Sequence, residues 1–444
     1  MLLITTFLIF VPLVLLGLRR ISFRCDFIPL IIYAQFIVYL QIAPYLHSRA
    51  NYAVEESHYP WFMSMAAVLF ELPFWLVYLL VVKLTAYGAP CLHKYFTTAC
   101  SRRYATVYML GLAVLFLVVV ARNDLLFVWH GNEENTRILA NLPALDWLIF
   151  RGYMLSEPLI ALTWLVLGFR RWISREYLIC GGLALLPWIV WSCLNSRNNV
   201  VIAAVFIAAV LVRNGISLKT LLRLFGVSIV TIYCMVVVLN TRAIWAEKEE
   251  LDISILTPWL RATHGGVTGL ASRLNGIDAM ARMKDEIDTQ GPALGAAWYR
   301  PLVYAISQPF LRLTRMEPLE YDGATKIILL KRYAAIDVPD YSSCMLTDVY
   351  GNLDVWGFPL AAAILAFICA IARNFYVESA PAAVMLGIFI FYNIFSFEAE
   401  FAGILVGWLR PLLFTAPFWV LCFRRGGRRP GGLNYVAVDA RAVL

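Results

Sequence analysis

Charge is what this chain has least of. Of its 444 residues only 15% are Asp, Glu, Lys or Arg, whereas 61% are hydrophobic, and the mean hydropathy is +0.72. A water-soluble domain is nearer a quarter charged and half apolar, so a soluble globule is excluded and a polytopic membrane protein is indicated. Histidine is scarce, with five in the chain. The nine cysteines contain no C-x-x-C pair, so no metal-site or redox motif is present. Most cysteines lie in or beside apolar runs, where a thiol behaves as a small hydrophobe. Cys344 alone falls clearly in the long polar segment, which leaves it no partner there for a disulfide. The first apolar run lacks a basic leader and a small-residue cleavage site, and it is expected to be a retained span. The net charge is +8, but the basic residues are scattered over short loops, which argues against a nucleic-acid partner.

Long apolar runs are abundant. Stretches able to cross about 30 Å of hydrocarbon can be marked at 2–18, 27–45, 61–82, 104–121, 152–169, 177–194, 199–212, 220–239, 353–372, 379–396 and 403–423. The fold class expected is therefore an all-α polytopic membrane protein of about 11 transmembrane helices. Lys and Arg alternate between loops. Arg19, Arg20, Arg24, Lys83, Lys94, Arg102, Arg103, Arg170, Arg171, Arg373 and the RRGGRR tail fall on one side, which the positive-inside rule makes cytoplasmic. The N-terminus is then outside and the C-terminus inside. The expected organisation is transmembrane helices 1–8 over 1–239, a large periplasmic loop over 240–350, helices 9–11 over 351–424 and a cytoplasmic tail over 425–444.

The 240–350 segment is the only long polar stretch, and it holds about a quarter of the chain. Long ordered loops usually carry function. Within it Val267, Leu270, Leu274, Ile277, Ala281 and Ile287 recur at helical spacing. The pattern predicts an amphipathic helix over 268–289, capped by Thr268, ended by Gly291-Pro292, with Arg273 and Arg282 off its apolar line. The stretches PLVYAISQPFLRL and GATKIILLKRY are expected along the membrane interface.

Outward arginines are the main chemical lead. Arg197 sits at the tip of a tight hairpin between two apolar runs, and Arg261, Arg273 and Arg282 lie in the long loop. Arg410 lies inside the last apolar run, with Glu398 and Glu400 as candidate partners. A charge at membrane depth lines a polar cavity or has a partner by default. Fixed guanidiniums near the membrane surface suit a lipid-linked diphosphate, because arginine stays charged and grips phosphate oxygens in a fork. With no metal-ligand cluster in view, arginines are candidates to stabilise a leaving diphosphate. His264 alone is weak evidence for a general base, Asp348 and Asp354 at the entry to the ninth run read as rim residues or sugar-binding groups, and the loop pair Glu55-Glu56 reads as solvated.

Four features bear a family resemblance: Ser196-Arg197 between two runs, SRLNGIDAM…GPALGAAWYRPLV in the loop, TDVYGNLDVWGF where the chain re-enters the membrane, and Arg410 near the outer end of the final helices. In these the chain resembles the Wzy-type oligosaccharide repeat-unit polymerases of the O-antigen class, membrane glycosyltransferases of the GT-C superfamily. The resemblance implies transfer of a growing glycan from undecaprenyl diphosphate to the sugar end of a new lipid-linked repeat unit, at the outer face of the bacterial inner membrane. Arg197 and Arg273 would hold the donor diphosphate. His264 or Asp348 would take the acceptor proton, and Arg261, Arg282, Tyr350 and Arg410 would bind substrate. No cofactor or metal is implied. The partners implied are the lipid-linked donor and acceptor, membrane lipids, a chain-length regulator and a flippase. An O-antigen ligase ranks second, since HGGVTGL faintly resembles the ligases' histidine loop but has Gly265 where an amide is expected. A transporter or flippase ranks third, because the spans read as nearly free of charge. A polyprenyl-phosphate-sugar transferase would instead place its acids at Glu55 and Glu56.

Overall fold

The computed structural model describes residues 2–50, 58–95, 98–100, 102–123, 125, 141–169, 175–195, 197–213, 226, 274–299, 303, 307, 311, 325–336, 344–377, 381–395 and 401–425. Every apolar run except 220–239, which lies outside these residues, falls on a helix. The cause is the solvent: in hydrocarbon each backbone N–H and C=O must be satisfied within its own segment, and a helix does so. The described helices of the first half are α1 (Leu2–Gly17), α2 (Phe27–Ile37), α3 (Ala43–Ala50), α4 (Tyr59–Ala66), α5 (Leu72–Tyr95), α6 (Arg102–Arg122), α7 (Ala144–Phe169), α8 (Arg175–Asn195) and α9 (Arg197–Arg213). A π-turn, Val38–Ile42, joins α2 to α3, and a second, Ala67–Glu71, joins α4 to α5.

The long polar segment contributes α10 (Asp278–Gln290), α11 (Thr325–Ala334) and the first part of α12 (Met345–Leu353). The chain then returns through a 3-10 turn to α13 (Gly357–Val377), α14 (Pro381–Ile394) and α15 (Phe401–Cys422). A short antiparallel pair, β1 (Thr98–Cys100) with β2 (Phe423–Arg425), is the sheet among the described residues. Among the described residues four stretches are long and apolar enough to cross a bilayer: Phe27–His47, Tyr59–Thr85, Arg103–Arg122 and Met345–Val377. Large apolar side chains such as Leu76, Val107, Leu183 and Phe367 point outward from the helices, as lipid contact requires. The protein is membrane-embedded and helical.

Packing divides into two apolar cores. One is built from α2, α4, α5, α13 and the polar segment's helices; the other from α6, α7, α8 and α15. Helices α7, α14 and α15 belong to both: Leu159, Val384 and Ile404 face the first core, Trp164, Met385 and Phe418 the second. Lipid is as apolar as leucine, so close packing rather than water exclusion holds such helices together. Small residues permit the closeness. A Cβ on Gly387 of α14 would sit 2.5 Å from the backbone nitrogen of Tyr376.

The two ends of the first core are distinct. At one, Asp26 accepts from the Ser22 N–H at 2.7 Å, the Tyr78 hydroxyl at 2.5 Å and Arg373 Nε at 3.0 Å. Nearby, Asn374 Nδ2 donates to the Thr85 hydroxyl at 2.5 Å. The other end carries α10, α11 and α12 as a helical cap. The Gly276 N–H donates to the Tyr39 carbonyl at 3.0 Å, and the first turn of α4 docks on α10.

The cap departs from expectation in three places. The amphipathic helix expected over 268–289 is broken at 275–277, and its described part, α10, begins at Asp278: at the break Asn275 Oδ1 accepts from the N–H groups of Ile277 and Asp278 at 3.1 and 3.2 Å, a local side-chain-to-backbone turn that apolar spacing does not reveal. Val267, Leu270 and Arg273 lie outside the described residues; Ile277, Ala281 and Ile287 are buried as the pattern requires, and Gly291, at φ +77, ends the helix. In GATKIILLKRY, Leu329, Leu330 and Tyr333 are buried, and α11 packs on α10 and α12. Finally, the boundary expected between 350 and 351 falls inside α12, so cap and membrane core share one helix.

Candidate functional site

The cap is organised by buried polar contacts. The Tyr59 hydroxyl at the start of α4 donates to Asp278 and stands 3.2 Å from Asn275 Nδ2. Arg282 Nε pairs with Asp278 Oδ2 at 3.2 Å, one helical turn along. On the exposed face of α10, His58 Nε2 lies 3.4 Å from Asp285, while Lys284 pairs with Asp288 and sits 5.0 Å over the Trp61 ring. The segment before the cap helix is clamped at Gly276, whose carbonyl accepts from the Cys344 thiol at 3.4 Å. Burial pushes that thiol up to about 12, and Cys344 is free. Burial likewise raises the Tyr333 hydroxyl, which donates to the Gly291 carbonyl at 3.0 Å.

At the centre of the cap stands Asp348, fully buried on α12. Its Oδ2 accepts from the Trp298 indole at 3.1 Å and its Oδ1 from the Phe401 N–H at 3.1 Å. The second contact satisfies a backbone donor at the start of α15, where a helix leaves its first N–H groups without partners and a negative charge is favourable. Asp348 thus ties the cap, the turn at 293–299 and the last membrane helix together. The turn is held on α12 by two further bonds, Ala293 N–H to the Gly351 carbonyl and Leu294 N–H to the Asn352 carbonyl.

Tyr350, two residues along the same helix, is buried edge-on against Phe62 of α4 with ring centroids 5.0 Å apart. Its hydroxyl has no hydrogen-bond partner among the described residues.

The expected site residues fall into two groups. Asp348, Tyr350 and Arg282 are placed in the cap, the first two as packing centres and Arg282 on its exposed face. Arg197 opens α9 and Arg410 lies in α15, their side chains outside the described residues, as are Arg261, His264 and Arg273 altogether. Among the described residues no cluster of three or more His, Cys, Asp or Glu able to hold a metal is found.

Sequence reasoning passed over two acids set in apolar helices: Glu71 ends a π-turn and Glu157 precedes Pro158 in α7, both fully buried. Both carboxylate oxygens of Glu157 lack a hydrogen-bond partner among the described residues. Their signal was legible as single acids inside VLFELPFW and MLSEPLIAL. No family model, no curated protein and no solved structure matches this chain.

Proposed function

We propose that this protein polymerises undecaprenyl-diphosphate-linked oligosaccharide repeat units into surface polysaccharide. The reaction is metal-independent glycosyl transfer at the outer face of the bacterial inner membrane, in a chain of about 11 spans with the N-terminus out and the C-terminus in. The observation that carries this reading is the seat of the cap. The described parts of the long polar segment, 274–299, 325–336 and 344–350, pack together, and Asp348 joins them to the start of α15. A lipid-linked substrate reaches such a place with its tail in the bilayer and its sugar in the cap.

In this reading Arg197 and Arg273 hold the diphosphate of the donor. Their forks bind the two phosphates more strongly as negative charge builds on the leaving group, so the bond to the anomeric carbon breaks more easily. The acceptor hydroxyl attacks that carbon and gives up its proton to His264 or Asp348. Asp348 is the less available of the two, since both its oxygens already accept bonds inside the cap.

The test is purified protein in detergent with synthetic lipid-diphosphate repeat units and no added metal. A ladder of products separated by one repeat unit is expected. In cells, deletion of the gene should leave single repeat units. Intact polymer left unattached would instead indicate the ligase, and persistence of long attached chains would remove both readings.

A further inference from the structure

Two neighbouring membrane helices abandon α-geometry together. The π-turns Val38–Ile42 and Ala67–Glu71 lie side by side, with the Phe36 and Phe70 rings 4.9 Å apart. Such turns are rare and concentrate at functional sites. Here each delivers one polar side chain to the same spot. Gln41 Nε2 donates to Glu71 Oε1 at 2.9 Å and to the Met63 carbonyl at 3.0 Å, and both side chains are fully buried.

The pair is incomplete as an ionised one. Gln41 Oε1 and Glu71 Oε2 are both buried without a hydrogen-bond donor among the described residues. Two unmet acceptors on adjoining groups leave room for one donor hydrogen, and an unpaired carboxylate at membrane depth is costly. A proton on Glu71 Oε2 meets both needs. It neutralises the acid, and it can be donated to Gln41 Oε1, making a reciprocal acid–amide pair with the existing Nε2–H bond.

We propose that Glu71 and Gln41 form a proton-binding site within the bilayer, occupied at neutral pH, that clasps the α2–α3 hairpin arm to α4–α5 beneath the cap. The proton exchanges with water and converts a carboxylate to a carboxylic acid; no other bond changes. The clasp bears on the cap from two directions. Met63 follows Phe62, which packs on Tyr350 of α12, and Tyr39, in the same π-turn as Gln41, holds Gly276.

The titratable groups on the elements packed here are few. On α2, Tyr33 donates to the Leu8 carbonyl at 3.2 Å; the π-turn itself holds Tyr39, and α3, which packs on it, holds Tyr45 and His47. Ahead of α4 stands His58, beside Asp285, and at its start Tyr59, which donates to Asp278. On α5, Tyr78 is bound to Asp26. On α13, Cys369 is a free buried thiol, Arg373 is paired with Asp26, and Tyr376 is buried. Among the described residues none of them hydrogen-bonds Glu71. This inference does not depend on the proposed polymerase activity.

Infrared spectroscopy of the full chain in lipid nanodiscs, titrated from neutral to alkaline pH, tests it. Wild type minus Glu71→Gln should show the carbonyl band of a protonated carboxyl at neutral pH and lose it on the alkaline side. Gln41→Met should shift that band to higher frequency, because the acid hydroxyl loses its acceptor. This comparison stands even if Glu71→Gln fails to fold. Melting temperature should fall with rising pH in wild type and stay level in Glu71→Gln. Carboxylate bands at neutral pH, a band unmoved by Gln41→Met, or parallel melting profiles would each overturn the proposal.

Discussion

Four buried carboxylates show how much partner geometry decides. Asp26 receives three donors and is a finished structural joint; Asp348 receives two and fixes the start of α15. Glu71 has one, from Gln41, and Glu157 has none among the described residues. Stability should follow this order. Asp348→Asn turns one acceptor oxygen into an amide that faces either the Trp298 indole or the Phe401 N–H. Leaving a buried donor unmet costs about 1–3 kcal/mol, so a clear drop in melting temperature is expected in detergent, and an unchanged melt would show that the carboxylate does not hold the cap. The outward arginines make a different prediction. Arg197→Ala and Arg273→Ala should each abolish polymer at unchanged protein level, and Lys at either position should rescue poorly, because a point charge does not replace a planar fork. Immunoblotted polysaccharide ladders provide the measurement, and near-normal chains from both alanine variants would remove these residues from the mechanism.

Helices were the most legible elements, and their contacts the least. An apolar run in lipid has only one way to satisfy its backbone, so run and helix coincide throughout the described chain. Which helices touch depends on small residues, whose effect is visible only once a partner is known. Gly387 illustrates this: its missing Cβ lets α14 approach the backbone of α13 at Tyr376 and Ala372. Gly387→Ala drives a methyl into main chain that cannot swing aside, and overpacking of this kind costs about 1–3 kcal/mol. A lowered melting temperature is expected, with little change for Gly182→Ala, where a Cβ meets nothing within 4 Å. The break at 275–277 ahead of α10 was hidden for a related reason: apolar spacing cannot see the Asn275 side chain that accepts from the Ile277 and Asp278 N–H groups there. The clamp behind it, Cys344 against Gly276, gives a pH prediction. Because burial raises the thiol to about 12, its contribution is intact below the ordinary thiol value and is lost as pH climbs toward the raised one. Native Cys344 should therefore resist maleimide at neutral pH and react only on unfolding or in strong alkali, as peptide mapping would reveal.

The described residues pack as two units bridged by α7, α14 and α15, with a cap on one end of the first. The sequence pattern predicted which loops share a side from their Lys and Arg content alone. Asp26, Thr85 and Arg373 meet at one end, whereas the turn before α4, the 274–299 segment and α12 meet at the other. The diphosphate-binding arginines expected from the sequence could not be assembled into one constellation, because Arg261, His264 and Arg273 lie outside the described residues. The proposed chemistry depends on the compartment that the Lys and Arg pattern predicts for the cap. A glycan on its lipid carrier must meet the cap on the extracytoplasmic side. Single cysteines decide this. Asp285 is 86% exposed on the cap, and Arg20 is exposed near the opposite end, six residues before Asp26. In a background freed of reactive native thiols, Asp285→Cys should react with a membrane-impermeant maleimide on intact spheroplasts, and Arg20→Cys only after the membrane is opened. The reverse pattern would put the cap in the cytosol, out of reach of substrates presented at the outer face, and the polymerase reading would not survive it.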